Sequence, residues 1–505
     1  MKDPLLEVQP WTSKRLNLRN QGFLVVQILV FAAVSAVILG ALALWGATSF
    51  TASRRAVLRE QAFHIAEAGI EYYRWHLAHD TDDYQDGTNN SGPYTHPYYD
   101  KDGSQIGAFT LTIAPPPSGG SKVVITSRGT IVEDPTVSRT LEETVAIPSF
   151  GQYAVLGGNA PLSFGVGVDV TGPVLGNNGV RFDGLAHNIV SSAVDKYTDG
   201  SPNMLGVHTN VSPADPAAPV ANIPSRPDIF QAGREFPPFY NVVAVDFNAL
   251  TATLSDLKDQ SLTPSGFHLG KAPGNSPGYH IILKNDGTFD VYQVGKVHTD
   301  PKCWDYSAYY PGWEMGSIDP GGETLIISNR PYPTNGIIFV EDHLWLEGTI
   351  NNNRLTIAAG SFIDNGNGNP QAKNITINHS VRYTNYDGRD VLGVIAQNNI
   401  NIGLMSDKNL RIDGALISKS GRVGRFYFIP QNASNYTCGE YGSRDTLYLY
   451  GMMASYGASG FVWADGSGYQ TRTIVYDSNL YYNPPPSFPK TSSQYSILTW
   501  REVLQ

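Results

Sequence analysis

The sequence predicts an α+β fold that is mainly β. We expect a long N-terminal membrane-spanning helix packed on a small antiparallel sheet, followed by a large parallel β-helix or solenoid-like head. Three observations predict this fold. Positions 20–53 contain no Asp, Glu, Lys or Arg, three strand-like stretches with Pro- and Gly-rich turns follow, and short apolar strands then recur from Val168 to Ile412. A β-sandwich head is the alternative, because its strands recur at similar intervals.

The apolar centre of the uncharged segment runs from Phe23 to about Ala47. At about 1.5 Å per residue this makes a helix of roughly 37 Å, which crosses a hydrocarbon core of about 30 Å with some tilt. A secretory signal has an apolar region of only about 7 to 15 residues, so the length favours a retained anchor. The small-residue pattern Ala41-Leu42-Ala43 keeps a cleaved signal as the alternative. Basic residues flank both sides almost equally, so charge does not fix the orientation.

The helical pattern continues beyond the apolar segment to about His79. Apolar residues there recur at steps of three and four, which predicts one buried stripe on a helix: Leu58, Ala62, Ile65, Ala66, Gly69, Tyr73 and Leu77. The helix therefore begins in lipid and ends in water, over residues 23–79.

Two motifs carry a family resemblance. The run Arg19-Asn20-Gln21-Gly22-Phe23-Leu24-Val25-Val26-Gln27 resembles the leader junction of type IV prepilins and type II secretion pseudopilins. The segment Ala66-Glu67-Ala68-Gly69-Ile70-Glu71 is similar to the signature of minor pilins of the PilX N-terminal type. The resemblance covers roughly residues 14–80.

The resemblance implies processing and assembly. Residues 1–22 would be a leader that a prepilin peptidase, a membrane aspartyl enzyme, removes between Gly22 and Phe23. The helix would then pack with other pilin or pseudopilin subunits, and the fibre-packing residues would be Gln27, Leu58, Ala62, Ile65, Gly69 and Tyr73. Pilins usually carry Glu at the fifth mature position, where this chain has Gln27. A lone carboxylate in hydrocarbon is costly, so Gln suits a subunit without a neighbouring amine to neutralise.

Residues 80–150 are expected to form a pilin-like antiparallel sheet. Three strands are predicted, at Ala108–Ile113, Lys122–Ile131 and Arg139–Ile147, joined by turns containing Pro115-Pro116-Pro117 and Asp134-Pro135. The polar stretch 80–102 lacks the oxygen spacing of a calcium loop and is expected to be a solvated loop.

The remaining chain is expected to form the head, as a first half with an inserted helix and hairpin, 151–335, and solenoid-like repeats with an aromatic tail, 336–505. Apolar doublets recur 10 or 11 positions apart, as in Leu344 to Leu355 and Ile400 to Leu410, with Asn and Gly between them. Asp246 is predicted to cap a short helix, and Lys284-Asn285-Asp286-Gly287-Thr288 to turn a hairpin. The Pro-rich tail from Tyr476 is expected to pack on the head.

Charge and cysteine content exclude several functions. The 35 Lys and Arg against 45 Asp and Glu give a net charge of −10, which argues against a nucleic-acid partner. The two cysteines, Cys303 and Cys438, form no zinc motif, and whether they pair is left open. No metal or cofactor is expected.

The sequence offers no convincing catalytic constellation. Neighbouring residues on a strand point to opposite faces, so Glu341 with Asp342, and Arg389 with Asp390, do not converge as acid–base chemistry requires. His76 and His79 lack an acidic partner in a zinc-protease frame. We therefore expect no enzyme, with a membrane-anchored polysaccharide-active enzyme as the alternative.

Aromatic residues give the head a candidate binding surface. The chain has 28 Tyr against 20 Phe, and rings that combine an apolar body with a polar tip suit contacts with glycans or proteins. The candidates are Tyr306, Tyr309, Tyr310, Trp313, Tyr448, Tyr450, Tyr456 and Trp463. They serve equally well as core, which is the alternative.

The function expected from the resemblance is that of a minor or tip subunit of a bacterial type IV pilus-like or type II secretion-like surface fibre. Its single membrane helix would hold it in the inner membrane with the head extracytoplasmic, and then at the cell surface after assembly. The head would serve adhesion or contact, with a surface glycan or a protein as its ligand.

Overall fold

A computed structural model describes residues 21–116, 120–303, 312–362, 371–430 and 437–503. The first element, α1, is one continuous helix over Gln21–His79. Its end at His79 confirms the predicted end, because an uninterrupted 3.6-residue pattern without Pro holds the chain helical up to the polar residues 80–83. Residues 1–20, which contain most of the predicted leader, lie outside the described residues.

The helix packs on an antiparallel sheet that is built from the first strands after α1 and from the last strand of the chain. Its first four strands are β1 Tyr94–Tyr99, β2 Gln105–Ala114, β3 Val123–Ile131 and β4 Ser138–Ala146. A final strand, Ser496–Val503, pairs antiparallel with β4, so the order is β1-β2-β3-β4 followed by this C-terminal strand. We call these five strands the N-terminal sheet. The head is therefore inserted between its fourth and fifth strands.

This sheet differs from the sequence expectation at two places. The stretch 80–102 was expected to be loop, yet Tyr94–Tyr99 is an edge strand with Tyr94 buried. The chain after Tyr476 was expected to pack on the head, and its first part does so through Leu480 and Phe488, yet Ser496–Val503 returns to β4. In both places the pairing partner is another strand of the sheet, and a single strand carries little signal of its own in the sequence.

The head begins with short strands, most of them joined by short turns, with a long loop between the last two. They are β5 Val155–Gly157, β6 Leu162–Phe164, β7 Val168–Val170, β8 Val174–Gly176, β9 Val180–Phe182, β10 Leu185–Ala186, β11 Val190–Ser192, β12 Lys196–Asp199, β13 Ser201–Leu205, β14 Val207–His208 and β15 Arg234–Glu235. Helix α2, Leu250–Ser261, follows a single-turn helix, Phe247–Ala249, whose Asn248 amide donates to the Asp246 carboxylate, so Asp246 is the cap that was predicted.

The later part of the head contains further short strands and several longer ones, up to the 13 residues of Ser443–Ser455. They are β16 Phe267–Leu269, β17 Gly278–Leu283, β18 Thr288–Val294, β19 Glu323–Pro331, β20 Ile337–Val340, β21 His343–Ile350, β22 Arg354–Ala359, β23 Ile375–Ile377, β24 Val381–Tyr383, β25 Val391–Ala396, β26 Ile400–Ile402, β27 Asn409–Ser418, β28 Val423–Arg425, β29 Ser443–Ser455 and β30 Gly468–Tyr476. Helices α3, Gly312–Met315, and α4, Asn479–Tyr482, lie among them, and Ser496–Val503 is β31. The predicted hairpin is β17 with β18, in antiparallel register.

Most strands of the head pair in parallel and form ladders. The first ladder runs β16-β20-β22-β25-β27-β29-β5-β8-β11-β15. The second runs β17-β21-β24-β27-β29-β30-β7-β10. A third side is built by β21-β23-β26-β28 and, separately, by β6-β9-β14. Val, Ile, Leu and Phe side chains from all three sides share one interior core.

Strands that pair within a ladder are farther apart in sequence than the interval of 10 or 11 positions between the apolar doublets. Ile357 pairs with Val394 and Leu416 with Met453, whereas Leu344 and Leu355, 11 positions apart, belong to successive strands on different sides. The predicted interval therefore measures the step from one strand to the next around a corner. Two corners fall at Gly414 and Gly451, which pair with each other at φ values of 157° and 137°. A Cβ on Gly451 would lie 2.1 Å from the Gly414 oxygen, so the bend requires glycine.

The head consists of two chain segments that meet inside the ladders. β5 pairs with β29, and β7 pairs with β30. The first strands of the head therefore join both ladders next to its last strands. Strands β5 to β15 extend one way, and the chain then crosses to the far end and returns through β16 to β30. Helix α2 covers the outer side of the first ladder with Leu250, Leu254 and Leu257. We call the junction between β5–β15 and β16–β30 the seam.

Candidate assembly surface on the N-terminal helix

The two halves of α1 have different surroundings. From Phe23 to Phe50 its large apolar side chains are exposed, for example Phe23 at 68% and Trp45 at 70%. Among the described residues, α1 is the one helix long and apolar enough to cross a membrane. Gln27 is also exposed, and the predicted cleavage junction Gly22–Phe23 lies in the first turn of the helix. Such a surface is stable only in contact with lipid or with other apolar helices.

The second half of α1 is buried on the N-terminal sheet. Leu58, Ala62, Ile65, Ala66, Ile70, Tyr73 and Leu77 are at most 4% exposed. They pack in one cluster with Phe109 and Leu111 of β2, Ile125 of β3, and Leu141 and Val145 of β4. The apolar stripe predicted from the sequence is therefore the inner face of a helix-on-sheet layer.

This burial corrects the role assigned to five residues. Leu58, Ala62, Ile65, Gly69 and Tyr73 were expected to pack against other subunits. They face the chain's own sheet instead, because an apolar stripe is buried first against the nearest apolar surface that the same chain supplies. Of the predicted fibre-packing residues, only Gln27 lies on exposed surface. The exposed apolar surface of α1 is its first half, from Phe23 to Phe50.

Small residues bring the helix unusually close to the sheet. A Cβ on Gly129 of β3 would lie 2.1 Å from the Ala62 oxygen and 2.6 Å from the Ala66 nitrogen, both backbone atoms of α1. On the helix side, a Cβ on Gly69 would lie 2.3 Å from Ser127 Oγ. Real Cβ atoms do not approach other atoms so closely, so the packing distance depends on these glycines. The Ala-Glu-Ala-Gly signature marked Gly69 in the sequence, but no local pattern marked Gly129.

A carboxylate is buried under the helix. Glu143 of β4 is 1% exposed, on the same strand face as Leu141 and Val145. Its Oε1 lies 3.4 Å from Arg74 Nε, which is within ion-pair distance but outside hydrogen-bond geometry, and the atom has no hydrogen-bond partner among the described residues. Burial raises the pKa of Glu143 to about 7; the nearby Arg74 opposes this effect and Glu71 adds to it.

The stability of this layer should depend on pH through Glu143. The unfolded chain releases the Glu143 proton near its ordinary pKa of 4.5, whereas the folded chain holds it until about 7. Between these values the folded state binds more protons, so the free energy of unfolding falls as pH rises. Thermal unfolding in detergent should show Glu143→Gln gaining about 1–3 kcal/mol over the native chain at pH 7.5 and little at pH 4.5. Glu142→Gln, on the outer face of the same strand, is the control; an equal gain in both variants at pH 7.5 contradicts the prediction.

The two histidines near the end of α1 have separate roles. His76 Nε2 lies 2.9 Å from Asp83 Oδ2, and His79 Nδ1 lies 2.8 Å from the Trp75 oxygen. Asp83 also accepts hydrogen bonds from the Gln85 and Gly87 amides, so it closes the loop after the helix. Among the described residues no group of three or more His, Cys, Asp or Glu is set to hold a metal ion.

The acidic residues considered for catalysis lie in separate contacts. Glu341 pairs with Lys258 and His268, whereas Asp342 pairs with Lys373 at 2.9 Å and accepts from the Ala272 amide. Asp390 accepts from the amides of Asn353, Thr384 and Asn385, and Arg389 pairs with Asp387. Each candidate side chain therefore makes ion pairs or hydrogen bonds within the head.

The cysteines and the aromatic candidates have different surroundings. Cys303 and Cys438 form a disulfide with a Cα–Cα distance of 4.2 Å, inside a cluster with Met315, Leu404 and Phe428. Tyr306, Tyr309 and Tyr310 lie outside the described residues, as does the side chain of Trp313. Tyr448, Tyr450, Tyr456 and Trp463 are half-buried, and Arg411 lies 4.6 Å from the Tyr448 ring centre.

No protein-family model and no curated protein sequence matches the chain. Among solved structures, the chain is similar to the competence-associated pilin ComZ from Thermus thermophilus. The two are 14% identical, the alignment covers 89% of this chain and 98% of that chain, and the TM-score is 0.32.

Proposed function

We propose that the chain is a minor or tip subunit of a type IV pilus-like or type II secretion-like fibre. The observation that supports this most is α1 itself, whose exposed apolar half continues without a break into a half buried on the N-terminal sheet. A helix with these two environments can hold the chain in a membrane and then exchange lipid for neighbouring helices. The PilX-like signature and the leader junction support the same assignment.

Processing and topology are part of the proposal. A prepilin peptidase would remove residues 1–22, and α1 from Phe23 would anchor the chain in the inner membrane by a single pass, with the globular part extracytoplasmic. The shaft-facing unit would be α1 with the N-terminal sheet, including β31. The head would lie outside the fibre axis and be displayed at the cell surface.

The head is proposed to be a β-solenoid used for adhesion or contact. The parallel ladders on three sides of one interior core support a solenoid more than a β-sandwich, which is built of stacked antiparallel sheets. Because both ends of the head join adjacent strands of the N-terminal sheet, it can project from the subunit without disturbing α1. Its ligand would be a surface glycan or a protein.

The proposal is tested by the N-terminus and location of the chain in the native cell. Mass spectrometry should find a chain that begins at an N-methylated Phe23, and sheared surface fibres should contain it. Gly22→Leu should block cleavage and remove the chain from the fibres. Gly270→Leu is the matched control, because Gly270 is an exposed residue of the head, outside α1, with open space around it. An intact Met1 in the native chain, or an N-terminus near Ala43, would overturn the proposal.

A further inference from the structure

A cavity opens into the interior of the head at the seam. It has a volume of about 260 Å³ and is lined mainly by interior residues of both segments, among them Phe164, Val168, Leu447, Leu449, Met453 and Ile474. We call it the seam cavity. Its volume lies just below the roughly 300–1,000 Å³ typical of small-molecule sites, so an occupant would be small.

The pairing register of the second ladder places the positively charged Arg472 among these apolar residues. Across the second ladder, Leu410 pairs with Leu447, Leu447 with Arg472, and Arg472 with Val168. Leu410, Leu447 and Val168 are buried and belong to the interior core. Because side chains alternate along a strand, Arg472 shares the inner face with Ile474, two positions on. One row of interior residues therefore contains an arginine, which lines the seam cavity.

No carboxylate among the described residues balances the charge of Arg472. Its Nη1 donates to the carbonyl oxygens of Tyr469 and Gln470, at 2.9 and 3.0 Å. In the described part of the chain no carboxylate lies within the 4.0 Å that defines an ion pair with this guanidinium. Burial lowers its pKa. A half-buried cation without an anion is unfavourable, and such groups are normally paired.

The other polar groups around the cavity differ from Arg472. Arg181, which also lines it, is paired with Asp183 at 3.3 Å and Asp199 at 3.1 Å, so its charge is balanced. Ser459 lines the cavity as well, and its buried hydroxyl has no hydrogen-bond partner among the described residues. The cavity thus combines apolar walls with one unbalanced cation and one unused hydroxyl.

We propose that the seam cavity binds a small molecule with an apolar body and one anionic group, of the class of a medium-chain acyl carboxylate. The apolar body would contact Leu447, Leu449 and Val168. The anionic group would pair with Arg472 and accept a hydrogen bond from Ser459. This binding is independent of the fibre function proposed above and would hold in a chain that never enters a fibre.

The probe is octanoate, titrated calorimetrically into the full chain in detergent. The native chain should bind it, and Arg472→Gln should weaken binding at least about tenfold, because hydrogen bonds to charged groups contribute about 1.5–3 kcal/mol. Arg382→Gln is the matched control, an exposed arginine on β24 whose loss should leave binding unchanged. Octanoate uptake by micelles is common to all variants and cancels in the comparison.

Two further measurements keep the proposal falsifiable. If Arg472→Gln does not fold, Ser459→Ala tests the proposal instead, and its affinity for octanoate should be about fivefold lower than that of the native chain. Octanol tests the need for the anion, and it should bind at least about tenfold more weakly than octanoate. Equal binding of octanol, unchanged binding in Arg472→Gln, or no octanoate binding to the native chain would each overturn the proposal.

Discussion

Replacing Gly129 by valine should detach the second half of α1 from the N-terminal sheet. The new Cβ would lie 2.1 Å from the Ala62 oxygen and 2.6 Å from the Ala66 nitrogen. Both are backbone atoms within a continuous helix, so no side-chain rotation can relieve the contact. Overpacking usually costs about 1–3 kcal/mol, and we expect about 3 kcal/mol or more here because the obstacle is rigid.

Hydrogen exchange of the full chain in detergent measures this directly. Amides of α1 between Leu58 and Leu77 should lose protection in Gly129→Val, while those of the head should keep it. Gly270→Val is the control, since Gly270 is exposed and nothing lies within 4 Å of a Cβ placed there. Unchanged protection of α1 in Gly129→Val would show that the helix does not depend on this close approach.

Loss of the bridge between Cys303 and Cys438 should destabilise the head by about 2–5 kcal/mol. The two residues are 135 positions apart in sequence, so the bridge closes a long loop and removes much conformational freedom from the unfolded chain. Both cysteines are also buried in a small apolar cluster, where two serines would leave hydroxyls without water. We therefore expect the double alanine variant Cys303→Ala/Cys438→Ala to lose less stability than the double serine variant.

Denaturant unfolding of both variants, with and without a reductant, tests this expectation. A reductant should lower the stability of the native chain and leave both variants unchanged. If reduction has no effect on the native chain, the bridge does not stabilise the head in solution.

Local sequence was enough to predict α1 and its end at His79. An uncharged apolar run followed by an unbroken stripe from Leu58 to Leu77 has no stable alternative to a long helix, because both signals repeat over many turns. The Asp246 cap and the β17–β18 turn were predicted for the same reason, since each depends on residues a few positions apart. The sequence also predicted that α1 packs on a small antiparallel sheet, and the stripe does so, although its individual residues had been assigned to contacts with other subunits.

The long apolar helix, the β character of the rest and several turns, such as the one between β17 and β18, could thus be predicted from local sequence. That β31 completes the N-terminal sheet, that the head is inserted before it, and that β5 enters the ladders beside β29 is visible only in the folded chain. The same holds for Gly129 against Ala62 and for Arg472 in a row of interior residues. The physical reason is the separation in sequence between the residues that interact. Turns and helix faces depend on neighbours in sequence, whereas strand pairing joins residues more than 300 positions apart.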